Sequence, residues 1–338
     1  MRAVVLVGGE GTRLRPLTET TPKPLLPLVD RAFLHQVLDH LGAHGVHEVV
    51  ASSPYLEATF GPFLAERRGD PTVTWITEAE PLGTAGAIVN ALRHLGDEAF
   101  LVLNGDVLTD LDLTALVSFH RERAAVATIA LTPVEDARPY GLVETETDGR
   151  VLEFREKPSE VVGGNINAGT YVLEPRALDG WEPGRMLSIE REVYPALIER
   201  GETVYASPSD AYWMDLGTPE RYLQAHFDAL EGHVAGLRSD APYVASSAMV
   251  DPDAKLGRLV VIGDGARVAA GADIDRSVLH EGVRVEENAE IARSIIAASA
   301  HVGRGSVVLD SVVGAGARIP ERARILQEQV APGHPAPA

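Results

Sequence analysis

The sequence predicts an α/β chain: a mixed sheet flanked by helices, followed by a coil of short repeated strands. Three observations carry this reading. From Met1 to about Leu230, apolar strand-like runs alternate with helix-like segments, the pattern that builds a parallel sheet covered on both faces. After Tyr243 no aromatic residue appears, and small residues, glycine and isolated aliphatics dominate. In that stretch the aliphatics recur with a period of seventeen, the mark of stacked coils whose cores are built from neighbouring repeats.

The elements follow in order. Ala3 to Val7 is a β-branched, apolar run and reads as a buried strand. It stops at Gly8-Gly9-Glu10-Gly11-Thr12-Arg13, where three glycines in four positions permit a tight turn and close backbone approach to a ligand. Val49 to Ser52, Val73 to Thr77 and Phe100 to Leu103 read as further strands. Phe33 to His44, Tyr55 to Arg68 and Thr84 to Leu95 read as the helices between them. Thr128 to Thr132, Gly141 to Glu146, Val151 to Phe154 and Asn167 to Leu173 extend the sheet, and Ser188 to Glu199 and Thr218 to Glu231 read as helices. In the coil, Ile262, Leu279, Ile296 and Val313 form one column. Val268, Val285, Val302 and Ile319 form a second, and Ile274, Ile291, Val308 and Ile325 a third. Ser277, Ser294 and Ser311 repeat in the same register, and Val250 and Leu256 suggest an earlier, imperfect coil. The expected division is a first domain over 1–232, a linker over 233–242, the coil over 243–330 and a disordered tail over 331–338.

Composition narrows the function. A formal net charge of −19 repels nucleic acid and anionic membrane surfaces, so neither is an expected partner. No apolar run approaches the length of a membrane span, and the N-terminus shows no signal-peptide pattern. The chain has no cysteine, hence neither disulfides nor a thiolate metal site, which is compatible with the cytoplasm. An acidic protein that takes a phosphorylated substrate needs a local basic pocket, and Arg13, Arg15 and Lys23 supply one beside the first strand. Free N–H groups in the glycine turn add a concave anion site. The spacing is neither G-x-G-x-x-G nor a Walker A loop.

Read together, Gly8-Gly9-Glu10-Gly11-Thr12-Arg13-Leu14-Arg15-Pro16-Leu17-Thr18 and Pro22-Lys23-Pro24 resemble the opening of the sugar-nucleotidyltransferases, G-G-x-G-T-R-L-x-P-L-T followed by P-K-P. Leu103-Asn104-Gly105-Asp106, Glu156-Lys157-Pro158, Asn167-Ala168-Gly169 and Trp213-Met214-Asp215-Leu216-Gly217-Thr218-Pro219 match further motifs of that family. The six-residue spacing in the coil resembles hexapeptide-repeat left-handed β-helices. The resemblance thus implies a Rossmann-like, mixed-sheet nucleotidyltransferase domain followed by a left-handed β-helix. It also implies a reaction in which a sugar 1-phosphate oxygen attacks the α-phosphorus of a nucleoside triphosphate and pyrophosphate leaves. That nucleophile is already an anion, so alignment and charge neutralisation carry the catalysis.

The resemblance assigns the residues as follows. Arg13 binds the β- and γ-phosphates, and Lys23 neutralises charge at the α-phosphate. Asp106 and Asp215 hold Mg²⁺, an ion content with two carboxylates and substrate phosphates. Lys157 holds the sugar phosphate, Glu156 and Asn167 meet sugar hydroxyls, and Gly141 lets the backbone approach the sugar. Nucleotide contacts fall at Leu6, Gly8, Gly9, Gly11, Thr12, Glu78, Gly83, Thr84 and Gly105. For Asp215 a bland alternative is a cap on the helix near Thr218; for Glu156-Lys157 it is a surface ion pair. Arg15 reads as a plain surface cation.

Glu78 bears on the base. Guanine presents two adjacent donors, which a carboxylate can accept and an amide cannot match, so Glu78 argues for GTP. The alternative is a solvated loop acid with the base read by backbone. Leu6-Val7-Gly8-Gly9, His35-Gln36 and Ser188-Ile189-Glu190-Arg191-Glu192-Val193-Tyr194-Pro195 resemble the mannose-1-phosphate guanylyltransferases. No residue separates mannose from glucose or heptose. A thymidylyl- or uridylyltransferase for glucose 1-phosphate, or a non-catalytic regulatory subunit of the same architecture, remain alternatives. The complete set Arg13, Lys23, Asp106, Lys157 and Asp215 favours the enzyme. His280 and His301 read as solvated turn residues of the coil, and the coil's exposed ends suit self-association into a homo-oligomer.

Overall fold

The computed structural model describes residues 1–54, 57–67, 69–237 and 240–333, the side chains of residues 57–59 excepted. By contacts the chain forms two units: Met1–Gly9 with Val37–Trp213, and Glu10–Gln36 with Met214–Ala338.

The first unit is built on a nine-stranded sheet. Strand Arg2–Leu6 lies between Phe100–Asn104 and Glu48–Ser53, parallel to both, and Thr72–Thr77 continues the parallel set. Ala3, Val4 and Val5 are wholly buried, as expected of a strand covered on both faces. Gly164–Leu173 runs antiparallel to Phe100–Asn104 and turns the sheet mixed. Beyond it lie Ala127–Val134, Gly141–Thr145 and Val151–Glu156. The helices Phe33–Ala43, Glu57–Glu66 and Gly83–Ala91 match the expected ones to within a few residues at each end. Tyr55 and Arg68, the expected ends of the second helix, lie outside the described residues, as do positions 238–239 of the expected linker and 334–338 of the expected disordered tail.

Several elements depart from expectation, among them the short strands Val107–Thr109 and Trp213–Asp215. The helix Leu113–Glu122 was not among the expected elements, although Leu113, Leu116, Val117 and His120 are buried at helical spacing. Its start is set by Asp112, whose carboxylate accepts the Ala115 N–H at 2.9 Å. The strand Val204–Pro208 pairs in parallel with Ala127–Val134 and was not among the expected elements; at five residues, ending in proline, it shows no sustained alternation. The helix expected over Ser188 to Glu199 begins instead as a wide π turn, Ile189–Val193, and becomes α-helical only over Tyr194–Glu199. Pro195 has no N–H with which to continue a regular ladder.

In the second unit three parallel sheets form a β-helix. Ile262 pairs with Leu279, Leu279 with Ile296 and Ile296 with Val313. The other two columns pair likewise through Val268–Val285–Val302–Ile319 and Ile274–Ile291–Val308–Ile325. All these aliphatics are buried. The imperfect first coil is explained by one extra residue, since Val244, Val250 and Leu256 pair with Ile262, Val268 and Ile274, eighteen positions on. The repeated serines form a ladder: the Ser294 N–H donates to Ser277 Oγ and the Ser311 N–H to Ser294 Oγ, each at 3.1 Å.

One coil face is apolar on its outside as well. Val261, Val278, Ile295 and Val312 alternate with the inward column yet are buried. The helix Pro219–Leu230 and the segment 10–36 cover them: Leu14, Leu17, Leu26 and Tyr222 cluster with Ile295 and Val312, and Val29, Ala229 and Leu230 with Val261 and Val278. Among the described residues no helix is long and apolar enough to cross a membrane.

Candidate active site

The segment after the first strand is a run of single turns. Gly11 adopts φ 61° and precedes the turn Thr12–Leu14. The Thr18 hydroxyl donates to the Gly11 carbonyl at 2.8 Å, which folds the segment back on itself. Arg13 and Arg15 stay exposed, while Leu14 and Leu17 are buried. Arg15 thus lies at the surface, as Arg13 does.

Lys23 opens the next turn, Lys23–Leu25, and is only 7% exposed. A buried ammonium requires a partner. Its Nζ lies 3.5 Å from Asp215 Oδ1, and Arg13 Nη2 lies 3.8 Å from Asp215 Oδ2. The site therefore brings together Arg13, Lys23 and Asp215, which lie far apart in the chain. A fourth member was missed from sequence: Arg221 Nη1 stands 3.3 Å from Asp215 Oδ2. It lies one turn into the helix, and its only signal was its place six residues after Asp215. The backbone also needs Gly217, because a Cβ there would sit 2.6 Å from Arg13 Nη2 and 2.9 Å from the Asp215 carboxylate. Asp215 does not cap the helix; Thr218 does, its hydroxyl accepting the Arg221 N–H.

In the first unit, the Gly105 N–H donates to the Leu6 carbonyl at 2.8 Å. This sets Asp106, half-buried, just past the carboxyl ends of two adjacent parallel strands, where such sheets bind ligands. Gly8 and Gly9 follow the end of the first of these strands. Asp106 and Asp215 offer carboxylate oxygens only, the donor chemistry of a hard divalent cation.

Glu78 is not a solvated loop acid: it is 6% exposed. Its Oε1 accepts the Ser52 hydroxyl at 2.8 Å and its Oε2 the Leu82 N–H at 3.0 Å. The carboxylate thereby holds the loop that leads into Gly83 and Thr84. The Thr84 hydroxyl is engaged as well, accepting the Ile189 N–H at 2.9 Å and donating to Glu190 Oε2 at 2.8 Å. Ser188 Oγ donates to the same Glu190 oxygen at 2.7 Å.

The expected sugar-phosphate residues also form a group. Gly141 pairs with Glu156 across antiparallel strands, and a Cβ on Gly141 would sit 2.6 Å from the Phe154 ring and 2.9 Å from Glu156 Oε2. Only glycine leaves that carboxylate its place. Burial, then the charge of Glu190, push the Glu156 carboxyl above its ordinary value. Lys157 takes φ 53°, a costly conformation for a non-glycine residue, fixed by its N–H bond to the Tyr140 carbonyl at 2.9 Å. Its side chain is 58% exposed. Asn167 sits at a bulge; its Oδ1 accepts the Gly169 N–H and its Nδ2 donates to the Tyr171 hydroxyl. Burial above all, with the charges of Glu190, Glu156 and Asp106, pushes the Tyr171 hydroxyl up. The arrangement suits binding of phosphates and polyols.

The expectation for His280 is overturned. It is buried, not solvated, and its Nε2 lies 3.1 Å from the Tyr222 hydroxyl. His301 is half-buried, with Nε2 2.9 Å from Glu286 Oε1.

Comparison with known proteins identifies the family. A model of the nucleotidyl transferase family matches residues 2–232, and one of the GMPPB C-terminal domain matches residues 239–334. The chain is 39% identical over 284 residues to a mannose-1-phosphate guanylyltransferase of Mycobacterium tuberculosis, covering 82% of this chain and 79% of the relative. It is 37% identical over 287 residues to mannose-1-phosphate guanylyltransferase 1 of Arabidopsis thaliana, with the same coverage. Among solved structures, HddC from Yersinia pseudotuberculosis superposes with a TM-score of 0.59 at 29% identity, over 67% of this chain and 97% of that one. A second HddC structure is complexed with GMP-PN. The chain belongs to the nucleotidyl transferase family, in the group that includes the mannose-1-phosphate guanylyltransferases.

Proposed function

We propose that the chain joins GTP and mannose 1-phosphate to give GDP-mannose and pyrophosphate. A phosphate oxygen of the sugar phosphate forms the new bond to the α-phosphorus, and the bond from the α-phosphorus to the bridging oxygen of the β-phosphate breaks. The observation that carries this reading is the buried Lys23 held against Asp215 beside Arg13, in a chain whose relatives are named for this reaction. Lys23 neutralises the α-phosphate as charge shifts toward the leaving group, and Arg13 holds the departing pyrophosphate. Such preorganised charges need no rearrangement during the reaction. Lys157 anchors the sugar phosphate, and Glu156 and Asn167 take sugar hydroxyls in the space that Gly141 leaves. Glu78 keeps a lone pair on each oxygen for the N1–H and N2 amine of guanine while Ser52 and Leu82 fix its plane.

Asp106 and Asp215 would hold Mg²⁺, which when bound screens the triphosphate. The catalytic domain spans 1–232 and the β-helix 243–330, joined by a linker over 233–242. The β-helix supports self-association. The test is pyrophosphate release with Mg²⁺ across GTP, UTP, dTTP, ATP and CTP, each against mannose 1-phosphate and glucose 1-phosphate. Release with GTP and mannose 1-phosphate is expected. Preference for another pair would keep the chemistry and overturn the specificity, and no release with any pair would overturn the assigned reaction.

A further inference from the structure

His280 lies in the β-helix, yet it belongs to a buried polar chain that ends on the segment carrying Lys23. The Tyr222 hydroxyl has a single proton and donates it to the Pro27 carbonyl in a short hydrogen bond. Its lone pair is then left to accept from His280 Nε2, 3.1 Å away. One helical turn later, His226 Nδ1 accepts the Val29 N–H at 3.2 Å. Tyr222 and His226 are four residues apart on one helix face, and they grip one segment at two points, Pro27 and Val29. Burial holds both imidazoles neutral, with His226 lowered to about 3 and His280 to about 4. Each ring thus carries one N–H, which in His280 the bonds just described assign to Nε2.

The gripped segment is strained. Val29 takes φ 59°, an outlier for a β-branched residue that persists only where its surroundings enforce it. It is 4% exposed and packs with Ala229, Leu230, Val261 and Val278, from the helix and the coil. From there the backbone is tied to Lys23 by short steps. The Leu26 N–H donates to the Lys23 carbonyl at 3.1 Å, and the Phe33 N–H to the Leu26 carbonyl at 2.9 Å. The same helix starts four residues after Asp215. The Tyr222–Pro27 bond therefore joins the two sides of the Lys23–Asp215 pair.

We propose that His280 is a positioning residue for the reaction: by donating to Tyr222 it fixes the hydroxyl that holds Pro27, and so sets Lys23 against Asp215. The β-helix is in this sense part of the phosphate-binding apparatus rather than an appended module. The proposal rests on the reading of Lys23 and Asp215 given above.

The test uses the full chain and three variants. His280→Leu removes the donor, Tyr222→Phe removes the hydroxyl with little change of shape, and His280→Gln restores an N–H donor. The expected result is a fall in kcat of about tenfold or more for the first two, since small misplacements of a reacting group cost up to about a hundredfold. KM for the sugar phosphate should stay unchanged and His280→Gln should recover most of the rate. Amide hydrogen exchange over residues 23–31 should speed up in the first two variants, while strand Arg2–Leu6 stays protected. A merely structural role would lower the melting temperature of all three and leave kcat per folded molecule unmoved; that result overturns the proposal. If no substrate pair is turned over, hydrogen exchange still decides the positioning. Faster exchange at 23–31 would uphold the clamp and place the fault in the assigned reaction, and unchanged exchange would refute the clamp itself.

Discussion

The Glu78→Gln substitution separates base recognition from loop support. In the structure each carboxylate oxygen already has one internal donor, Ser52 Oγ at 2.8 Å and the Leu82 N–H at 3.0 Å. The Leu82 N–H can only donate, so a glutamine must set its oxygen there and turn its NH₂ toward Ser52. A serine hydroxyl can accept that contact, and the loop is kept. What changes is the face offered to guanine: one acceptor becomes a donor opposed to a donor, and the negative charge is gone. Hydrogen bonds to a charged group contribute about 1.5–3 kcal/mol. At 1.4 kcal/mol per tenfold, kcat/KM for GTP should fall by about 10- to 150-fold. An amide suits uracil and thymine, so the GTP/UTP ratio should fall further. The assay is steady-state pyrophosphate release with both nucleotides, alongside a thermal melt that should shift little. A GTP/UTP ratio that does not move, in a variant that melts like the parent, would show that Glu78 supports the loop and does not read the base.

Other outcomes follow from the same geometry. Asp106→Asn should abolish Mg²⁺-dependent turnover with an unaltered circular dichroism spectrum, and full activity would refute its place as a metal ligand. Ile291→Ala, at a wholly buried position in the middle of a coil column, should cost about 2–5 kcal/mol; denaturant unfolding reads this directly, and a loss below about 1 kcal/mol would mean a poorly packed coil. The buried histidines predict acid sensitivity. Below pH 6.5 the unfolded chain protonates both, whereas the fold keeps them neutral down to about 3 for His226 and about 4 for His280. The unfolded state then binds more protons, so stability falls with pH through that window, by up to about 1.4 kcal/mol per unit for each histidine. Above 6.5 neither contributes. Unfolding at pH 7 and pH 5.5 should show a shallower loss in His226→Gln than in the parent; equal slopes would remove His226 from the account.

Much of this molecule was legible in one dimension because the relevant physics is local. The run Ala3 to Val7 and its abrupt glycine stop carry their own conformational instruction, and motifs of adjacent residues such as Asn104-Gly105-Asp106 hold their chemistry within one turn. The coil columns were legible because stacking repeats the same requirement every seventeen residues. Not every legible element was read: the helix after Asp112 buries Leu113, Leu116, Val117 and His120 at helical spacing, whereas the five-residue strand ending at Pro208 is too short to show a period and owes its identity to pairing.

What only the tertiary structure decided concerns groups whose partners lie far along the chain. Whether Glu78 was solvated depended on Ser52, and whether His280 was a surface turn residue depended on Tyr222, 58 positions away. The cluster of cations on Asp215 draws on residues 13, 23 and 221, and nothing in their spacing reports that convergence. The outward Val261, Val278, Ile295 and Val312 of one coil face are buried by partners that the sequence does not name. Burial is a property of the assembled fold: the free energy of removing a side chain from water depends on which surfaces meet it, and those surfaces here are the signature segment and a helix more than 180 residues downstream.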